Sequence, residues 1–464
     1  MIKSSRIGRP NTEAKEREAP KKSMNMFSLA GVGVGGVIGA GFFLGSGLAV
    51  QQAGPAVAVA FLIGGLIMMQ VLGSLVSVNV NRMEHGSFRV YAEEFLGRYS
   101  GYLLGWSVFL SGILGIGTEA IAMGVFARYW FPNLPLAVLS MSFMLIVVGL
   151  NALGGALFGR LETGMSALKS LALVLFIVLG GYALFMHGSF VKPAPVSSMR
   201  SFLPNGFSGL MQSMLIVIFA YSGIQAVAMA SDEARNPKKD IPRASVLMSI
   251  SIVFVYVVSM FVLVMITPWK TVYTDKSPFV QAFDALGLSW ASTGLNFVVL
   301  IAAFSVMAAT YYTSMHMLTS LAESNEAPQF FTHGTKKGFL RNSWLAVGIA
   351  SIAVVGLSFL LPSKLYDYLV SASSYFTFLA WVMFLLTYLF WRKKKGPEET
   401  YHSALIWGRP GAYVTIAAIL ALLVLSLRVE EFRYGFYAAL GLTVLITAGY
   451  FFVRKGKNLP PSSR

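Results

Sequence analysis

Apolar runs of about twenty residues recur from Met26 almost to the end of the chain, and they limit its fold more than any other feature. A helix of that length crosses the roughly 30 Å hydrocarbon core of a bilayer. Read at this window, the sequence predicts spans at 26–50, 55–78, 103–127, 134–150, 163–187, 208–231, 244–266, 294–319, 343–361, 366–391, 411–427 and 434–453. The expectation is an all-α membrane protein with twelve transmembrane helices. Composition agrees, since 12% of the 464 residues are charged, against about 25% in soluble domains. The segment 86–102 reads as an amphipathic cytosolic extension of the third span.

The basic residues give an orientation. With the N-terminus inside, cytoplasmic segments hold 27 of the 36 Lys and Arg and outside loops hold 8, leaving Lys169 within a span. The net charge of +16 then reflects membrane anchoring, notably at Arg392-Lys393-Lys394-Lys395, with no folded basic domain for nucleic acid. Residues 1–24 read as a cytoplasmic basic tail, 25–455 as one membrane domain and 456–464 as a second cytoplasmic tail. The first run is too long for a signal peptide. There is no Cys, which excludes disulfides and thiolate chemistry, and His85, His187, His316, His333 and His402 lack metal-ligand spacing. No metal site is expected. Nor is an enzyme, since no nucleophile, base and acid cluster and no phosphate-cradling motif is present.

Two spans carry signs of interruption. The first reads GVGVGGVIGAGFFLGSG over 31–47, denser in Gly than one packing face requires. Close helix packing accounts for such Gly equally well; a break near Gly39-Ala40-Gly41 would instead turn the amides of a second half-helix toward a cavity, where they would bind a carboxylate. The sixth has FAYSGIQ at 219–225, followed by SDEARNPKKDIPRA at 231–244. Interrupted spans five apart fit an inverted-repeat transporter with its site at the midplane.

The segments GGVIGAGFFLGSG (35–47), TEAIAMGVFARYWFPNLP (118–135), FGRLETGMSALK (158–169), FAYSGIQAVAMASDEARNPKKDIPRA (219–244), SPFVQAFDALG (277–287) and MLTSLAESNEAPQFF (317–331) resemble, in order, those of the amino-acid permeases of the amino acid–polyamine–organocation superfamily. The resemblance implies the five-plus-five inverted-repeat fold shared with sodium-coupled symporters, with helices 1 and 6 broken. Repeat one would cover about 25–188, repeat two about 206–392, and two extra C-terminal helices about 410–454. It also implies a substrate carboxylate on the amides of Gly39, Ala40 and Gly41. The α-ammonium would meet carbonyls of Val37, Phe219, Ala220 and Ser222, with Phe219 covering the substrate from outside. No charged side chain is required for that pairing.

An intramembrane charge costs about 2.5–3.5 kcal/mol on insertion scales, which makes Lys169 and Glu119 functional candidates. Snorkelling toward the cytosol is the plainer account of Lys169, which lies about two turns beyond Arg160. By resemblance, Lys169 stands where sodium-coupled relatives hold an ion between helices 1 and 8, with Ser305 as its partner, and proton release would let those helices separate. Glu119 matches an acidic residue of the same branch and reads as a proton or substrate contact, with a purely structural hydrogen bond as the alternative, whereas Glu162 beside Arg160 reads as an interface residue. Gln225 departs from the family, many members having Glu there, and cannot release a proton. Ser371, Ser373 and Ser374 are candidates either for the outer gate or for helix packing.

The expected activity is import of a neutral, apolar amino acid by proton symport with alternating access, with H+ as the coupling ion and no cofactor. The expected partners are the amino acid and the lipid bilayer, not nucleic acid, and the expected location is a bacterial cell membrane. Amino-acid exchange, or transport of cationic amino acids or polyamines, is the alternative on the same fold, and a non-transporting amino-acid sensor a more remote one.

Overall fold

The computed structural model of the chain describes residues 24–82, 88–153, 155–186, 198–229, 234–334, 339–361, 364–395 and 405–455. Among these residues the regular elements are all helices, with no strand. In chain order the first repeat-length stretch contains α1 (Met26–Val37), α2 (Ala40–Phe43), α3 (Gly45–Ala53), α4 (Val57–Arg82), α5 (Phe88–Leu96), α6 (Arg98–Ala127), α7 (Leu136–Ala152) and α8 (Gly155–Met186). There follow α9 (Met199–Phe202), α10 (Gly206–Ala220), α11 (Ala226–Met229), α12 (Pro237–Ile266), α13 (Pro278–Ala285), α14 (Ser289–Glu323), α15 (Arg341–Gly356), α16 (Leu365–Lys395), α17 (Gly408–Ser426) and α18 (Glu430–Lys455).

Ten helical segments are long and apolar enough to cross a membrane, one of them the continuous stretch Ala40–Asn81. The expected first and fourth spans differ for physical reasons. The first is interrupted, so α1 stands as a separate short apolar helix, and the fourth, α7, has 17 residues. The expected sixth span is likewise not one helix, because α10 stops at Ala220. The segment 86–102 is not a plain extension of the third span either. Its N-terminal part is a separate helix, α5, and Gly97 at φ 96° turns the chain into α6, a backbone that residues with a Cβ rarely adopt.

Contacts between helix ends fix the two ends of the bundle. Phe88 before α6 packs edge-on against Phe384 in the second half of α16, and the Tyr102 hydroxyl donates to Ile446 O late in α18. Met24 pairs with Ala234 just before α12. These mark the near end, where the described chain starts and finishes. The turns after α6, before α13 and before α16 lie at the far end.

Two long helices, α6 and α14, pack along one another, and α16 lies against α6; α1 is enclosed by α8, α12 and α14. This central set holds the buried polar residues Glu119 of α6, Lys169 of α8 and Ser305 of α14. The outward faces carry large apolar side chains, such as Val178, Tyr182 and Phe185 of α8 and Val444, Leu445 and Phe452 of α18, each more than half exposed. An apolar exterior around a more polar interior is the arrangement that lipid imposes.

Candidate functional site

Helix α1 stops at Val37 because Ile38 (φ −76°, ψ 98°) and Gly39 (φ −143°, ψ −160°) are extended before α2 begins at Ala40. A break of this kind frees carbonyls at the end of one half-helix and amides at the start of the next. Each needs a partner where no bulk water reaches. Other helices provide them. Lys169 Nζ on α8 donates to Gly35 O and, at 2.9 Å, to Ser305 Oγ on α14. The Tyr256 hydroxyl on α12 lies 3.4 Å from both Val37 O and Ala220 O, a long bridge between the two broken helices. Both carboxylate oxygens of Glu119 on α6 accept from the Ala40 N–H, at 3.0 and 3.2 Å.

The second break begins where α10 ends at Ala220, and helix resumes with α11 at Ala226. Phe219 O is used inside this turn, accepting from Ser222 N at 3.0 Å. Gly223 has φ 89°, and a Cβ there would lie 2.4 Å from Gly36 O, so the two breaks meet backbone to backbone. Only Gly satisfies both conditions. Behind α2, Phe42 stacks on Tyr256 with ring centroids 3.7 Å apart, and Phe61 meets both rings edge-on. That packing holds the Tyr256 hydroxyl at the break.

The two breaks border a cavity of about 130 Å³ lined by Gly36, Glu119, Phe219, Ser222 and Gln225. It extends toward the near end between α6, α14 and α16, past Thr310, Ser373, Phe376 and Trp381. The structure therefore brings Val37, Gly39, Ala40, Gly41, Phe219, Ala220, Ser222 and Glu119 to one place. A Cβ on Gly39 would lie 2.8 Å from Glu119 Oε1, and one on Gly41 2.9 Å from the Phe219 ring. Lys169 and Ser305 lie on another side of α1, at Gly35. Lys169 is fully buried and Glu119 is 4% exposed.

Of the three α16 serines, Ser373 lines the cavity and pairs with Ser111 at 3.1 Å, while Ser371 donates to Phe432 O of α18 and Ser374 to Val370 O one turn earlier in its own helix. The side chains of Arg160 and Glu162 and the residues 231–233 fall outside the described residues, as do His85, His187 and His402. Tyr256 is not singled out by the sequence, and Gly223 enters there only as part of FAYSGIQ. A Tyr deep in an apolar span is itself a signal, since its hydroxyl must find an acceptor.

An amide at a half-helix start and carbonyls at half-helix ends, a few ångströms apart, are the two poles a zwitterion needs. The amino acid permease family model matches residues 30–457. The chain belongs to the amino acid permease family. This permease is 33% identical over 387 residues to the amino-acid permease RocC of Bacillus subtilis (strain 168), with 82% of each chain covered. It is 30% identical over 429 residues to the aromatic amino acid transport protein AroP of Escherichia coli (strain K12), covering 91% of this chain and 93% of that one. An uncharacterized amino acid permease of B. subtilis (strain 168), YtnA, is 31% identical over 389 residues. The family and the apolar helices make this a multi-pass membrane protein that handles amino acids.

Proposed function

We propose that this permease imports a neutral, apolar α-amino acid across the cell membrane by proton symport, alternating access around the two broken helices. In this reading the chain makes twelve crossings, with helices α1 to α8 and α10 to α16 forming the inverted repeats, α17 and α18 lying outside them, and the near end facing the cytoplasm. The observation that carries it is the pairing at the breaks. The Ala40 amide, held by Glu119, suits a substrate carboxylate, and the Val37 and Ala220 carbonyls, bridged by Tyr256, suit its ammonium. Phe219, Phe376 and Trp381 on the same cavity favour an apolar or aromatic side chain, and the relative AroP is named for aromatic amino acids.

Lys169 and Glu119 are the proposed proton carriers. The Lys169 ammonium joins α1 at Gly35 O to α14 at Ser305 Oγ, so loss of its proton removes the charge-assisted part of that bridge and eases separation of the two helices. Glu119 can leave the Ala40 amide at lowest cost when it takes up a proton, which ties substrate entry to protonation.

The test is uptake of labelled amino acids into proteoliposomes under an inward proton gradient, a sodium gradient or neither. Accumulation driven by protons alone, competed by leucine or phenylalanine and lost in Lys169→Ala, is the expected result. Uptake only against preloaded amino acid would make the protein an exchanger, and competition by lysine or a polyamine would overturn the neutral substrate.

A further inference from the structure

The cavity at the breaks has a polar patch two turns of α6 away from Glu119. Ser111 of α6 and Ser373 and Thr377 of α16 all line it, and their side chains form one cluster. Ser111 Oγ lies 3.1 Å from Ser373 Oγ and 3.2 Å from Thr377 Oγ1. Ser373 and Thr377 are buried, at 2% and 6% exposure.

A hydroxyl has one proton to give and two lone pairs with which to receive. Ser373 Oγ donates to Ser111 O at 3.1 Å, and Thr377 Oγ1 to Ser373 O at 3.0 Å. The Ser111 proton then goes to one of three α16 oxygens within 3.3 Å of it, Ser373 O, Ser373 Oγ or Thr377 Oγ1. All three protons are spent inside the cluster, so what it turns to the cavity is lone pairs. A donor binds there; an acceptor does not. Beside it stands a hydroxyl of the opposite character. Ser314 of α14 lines the same cavity over Gly112, where a Cβ would lie 2.4 Å from its Oγ, and it donates to no described residue. Its proton is left for a ligand's oxygen.

Ser and Thr also pack helices in lipid without any ligand. The wall between this patch and Glu119, however, leaves room for a long side chain. Gly112 and Gly115 put no side chain there, and a Cβ on Gly115 would meet nothing within 4 Å, while Phe376 and Trp381 of α16 supply aromatic surface. Ser111 stands about 12 Å from Glu119 along α6, at 1.5 Å per residue. Side chains lean toward a helix's N-terminus, so the Glu119 carboxylate at the Ala40 amide closes part of that distance. A tyrosine reaches across the remainder from its carboxylate to its phenol oxygen, whereas a leucine stops short.

We propose that the amino acid held in this cavity is an aromatic one whose ring ends in a hydrogen-bond donor, tyrosine before phenylalanine. Its phenol proton goes to the cluster of Ser111, Ser373 and Thr377, and its phenol oxygen accepts from Ser314. The proposal deepens the transport reading by naming the side chain, and it rests on that reading for the carboxylate and the ammonium. The four hydroxyls set specificity and carry no step of transport.

The test is equilibrium binding of radiolabelled tyrosine and phenylalanine to the full-length protein in lipid nanodiscs, with unlabelled 4-fluorophenylalanine as competitor, alongside uptake by the same preparation in liposomes. The fluorine occupies the place of the phenol oxygen and donates nothing. Tyrosine should bind about tenfold more tightly than phenylalanine or its 4-fluoro analogue, the effect of one or two neutral hydrogen bonds. This comparison is made on the wild type and needs no variant to fold. With Ser111→Ala, Ser373→Ala and Thr377→Val together, the ratio of tyrosine to phenylalanine affinity should fall to about two or less, and Ser314→Ala should lower it about threefold. Equal wild-type affinities for tyrosine and 4-fluorophenylalanine, a tyrosine preference that survives loss of the three hydroxyls, or leucine transport by a protein that binds no aromatic amino acid would each overturn the assignment and leave the transport reading standing. If no amino acid binds and none is transported, both fall together.

Discussion

Replacing Glu119 by Gln keeps the side chain's shape and removes its charge, at the one point where a side chain already fills the proposed carboxylate position. Both Glu119 oxygens lie within 3.2 Å of the Ala40 N–H. A hydrogen bond to a charged group is worth roughly 1.5–3 kcal/mol net, and a neutral one roughly 0.5–1.5 kcal/mol. The substitution therefore loosens the grip on the amide by about 1–1.5 kcal/mol. A substrate carboxylate that must displace Glu119 gains that difference, so its affinity should rise about fivefold to tenfold. The assay is equilibrium binding of the best substrate to purified wild type and Glu119→Gln between pH 5 and 8. The wild-type affinity should climb toward that of the variant on acidification, as Glu119 takes up a proton, while the variant's stays flat. Proton-driven accumulation should be lost in the variant, although the amino acid still exchanges. A tenfold fall in affinity would mean that Glu119 contacts the substrate rather than competing with it. An unchanged, pH-independent affinity would reduce Glu119 to a cap on α2.

Lys169→Ala leaves Gly35 O and Ser305 without their ammonium, and uptake against a gradient should drop at least about tenfold, an effect of ~1.4 kcal/mol on the coupled step, as measured in proteoliposomes. Gly223→Ala forces φ 89° on a residue with a Cβ placed 2.4 Å from Gly36 O. The left-handed backbone alone costs about 1–2 kcal/mol, so folded yield and transport should both fall, whereas Gly115→Ala, with open space around it, should fold normally. At the near end, the buried Arg89 pairs with Glu326 at 2.6 Å and with Ser324 Oγ at 2.5 Å. Arg89→Met should cost about 3–5 kcal/mol by stranding a buried charge, read as a lowered unfolding temperature, and Arg89→Met with Glu326→Leu should recover most of it. Burial holds the Glu326 carboxyl above its ordinary range despite Arg89 beside it. The folded state therefore binds this proton more readily than the unfolded chain, and the group's contribution declines as pH rises through its folded value. The Arg89→Met defect should accordingly be smallest at acid pH.

Much of the architecture is written locally, because lipid forces it to be. Each apolar run must satisfy its own backbone, so length alone announces a helix, and the Gly run at 31–47 falls where α1 gives way to α2. The turn at Tyr221 follows FA of FAYSGIQ for the same reason: Gly223 is the residue that can approach Gly36. What stays hidden is pairing over distance. Nothing in the spacing tells that Glu119 reaches Ala40, 79 residues away, or that Arg89 meets Glu326, 237 residues away. Nor does the pattern separate α5 from α6, because the amphipathic stretch continues through Gly97 and only its positive φ reveals the turn.

The occupied breaks suggest why such a site would couple two ligands. An unsatisfied buried amide costs about 1–3 kcal/mol, so broken helices need partners at those positions from the protein's own side chains. Here Glu119 takes the amide and the Tyr256 hydroxyl spans the carbonyls. On the transport reading, the amino acid then enters by exchange, and its own interactions are offset by those it displaces. Displacement by a carboxylate would leave Glu119 charged, 4% exposed and facing another negative group. A proton removes that penalty. Amino acid and proton would therefore bind each other's state preferentially, and by linkage each should raise the other's affinity by the same factor. Tyr256→Phe offers a separate measure of the other pole. It keeps the stack on Phe42 and removes only the bridge to Val37 O and Ala220 O, so it should strengthen amino-acid binding without altering its dependence on pH, which Glu119 sets.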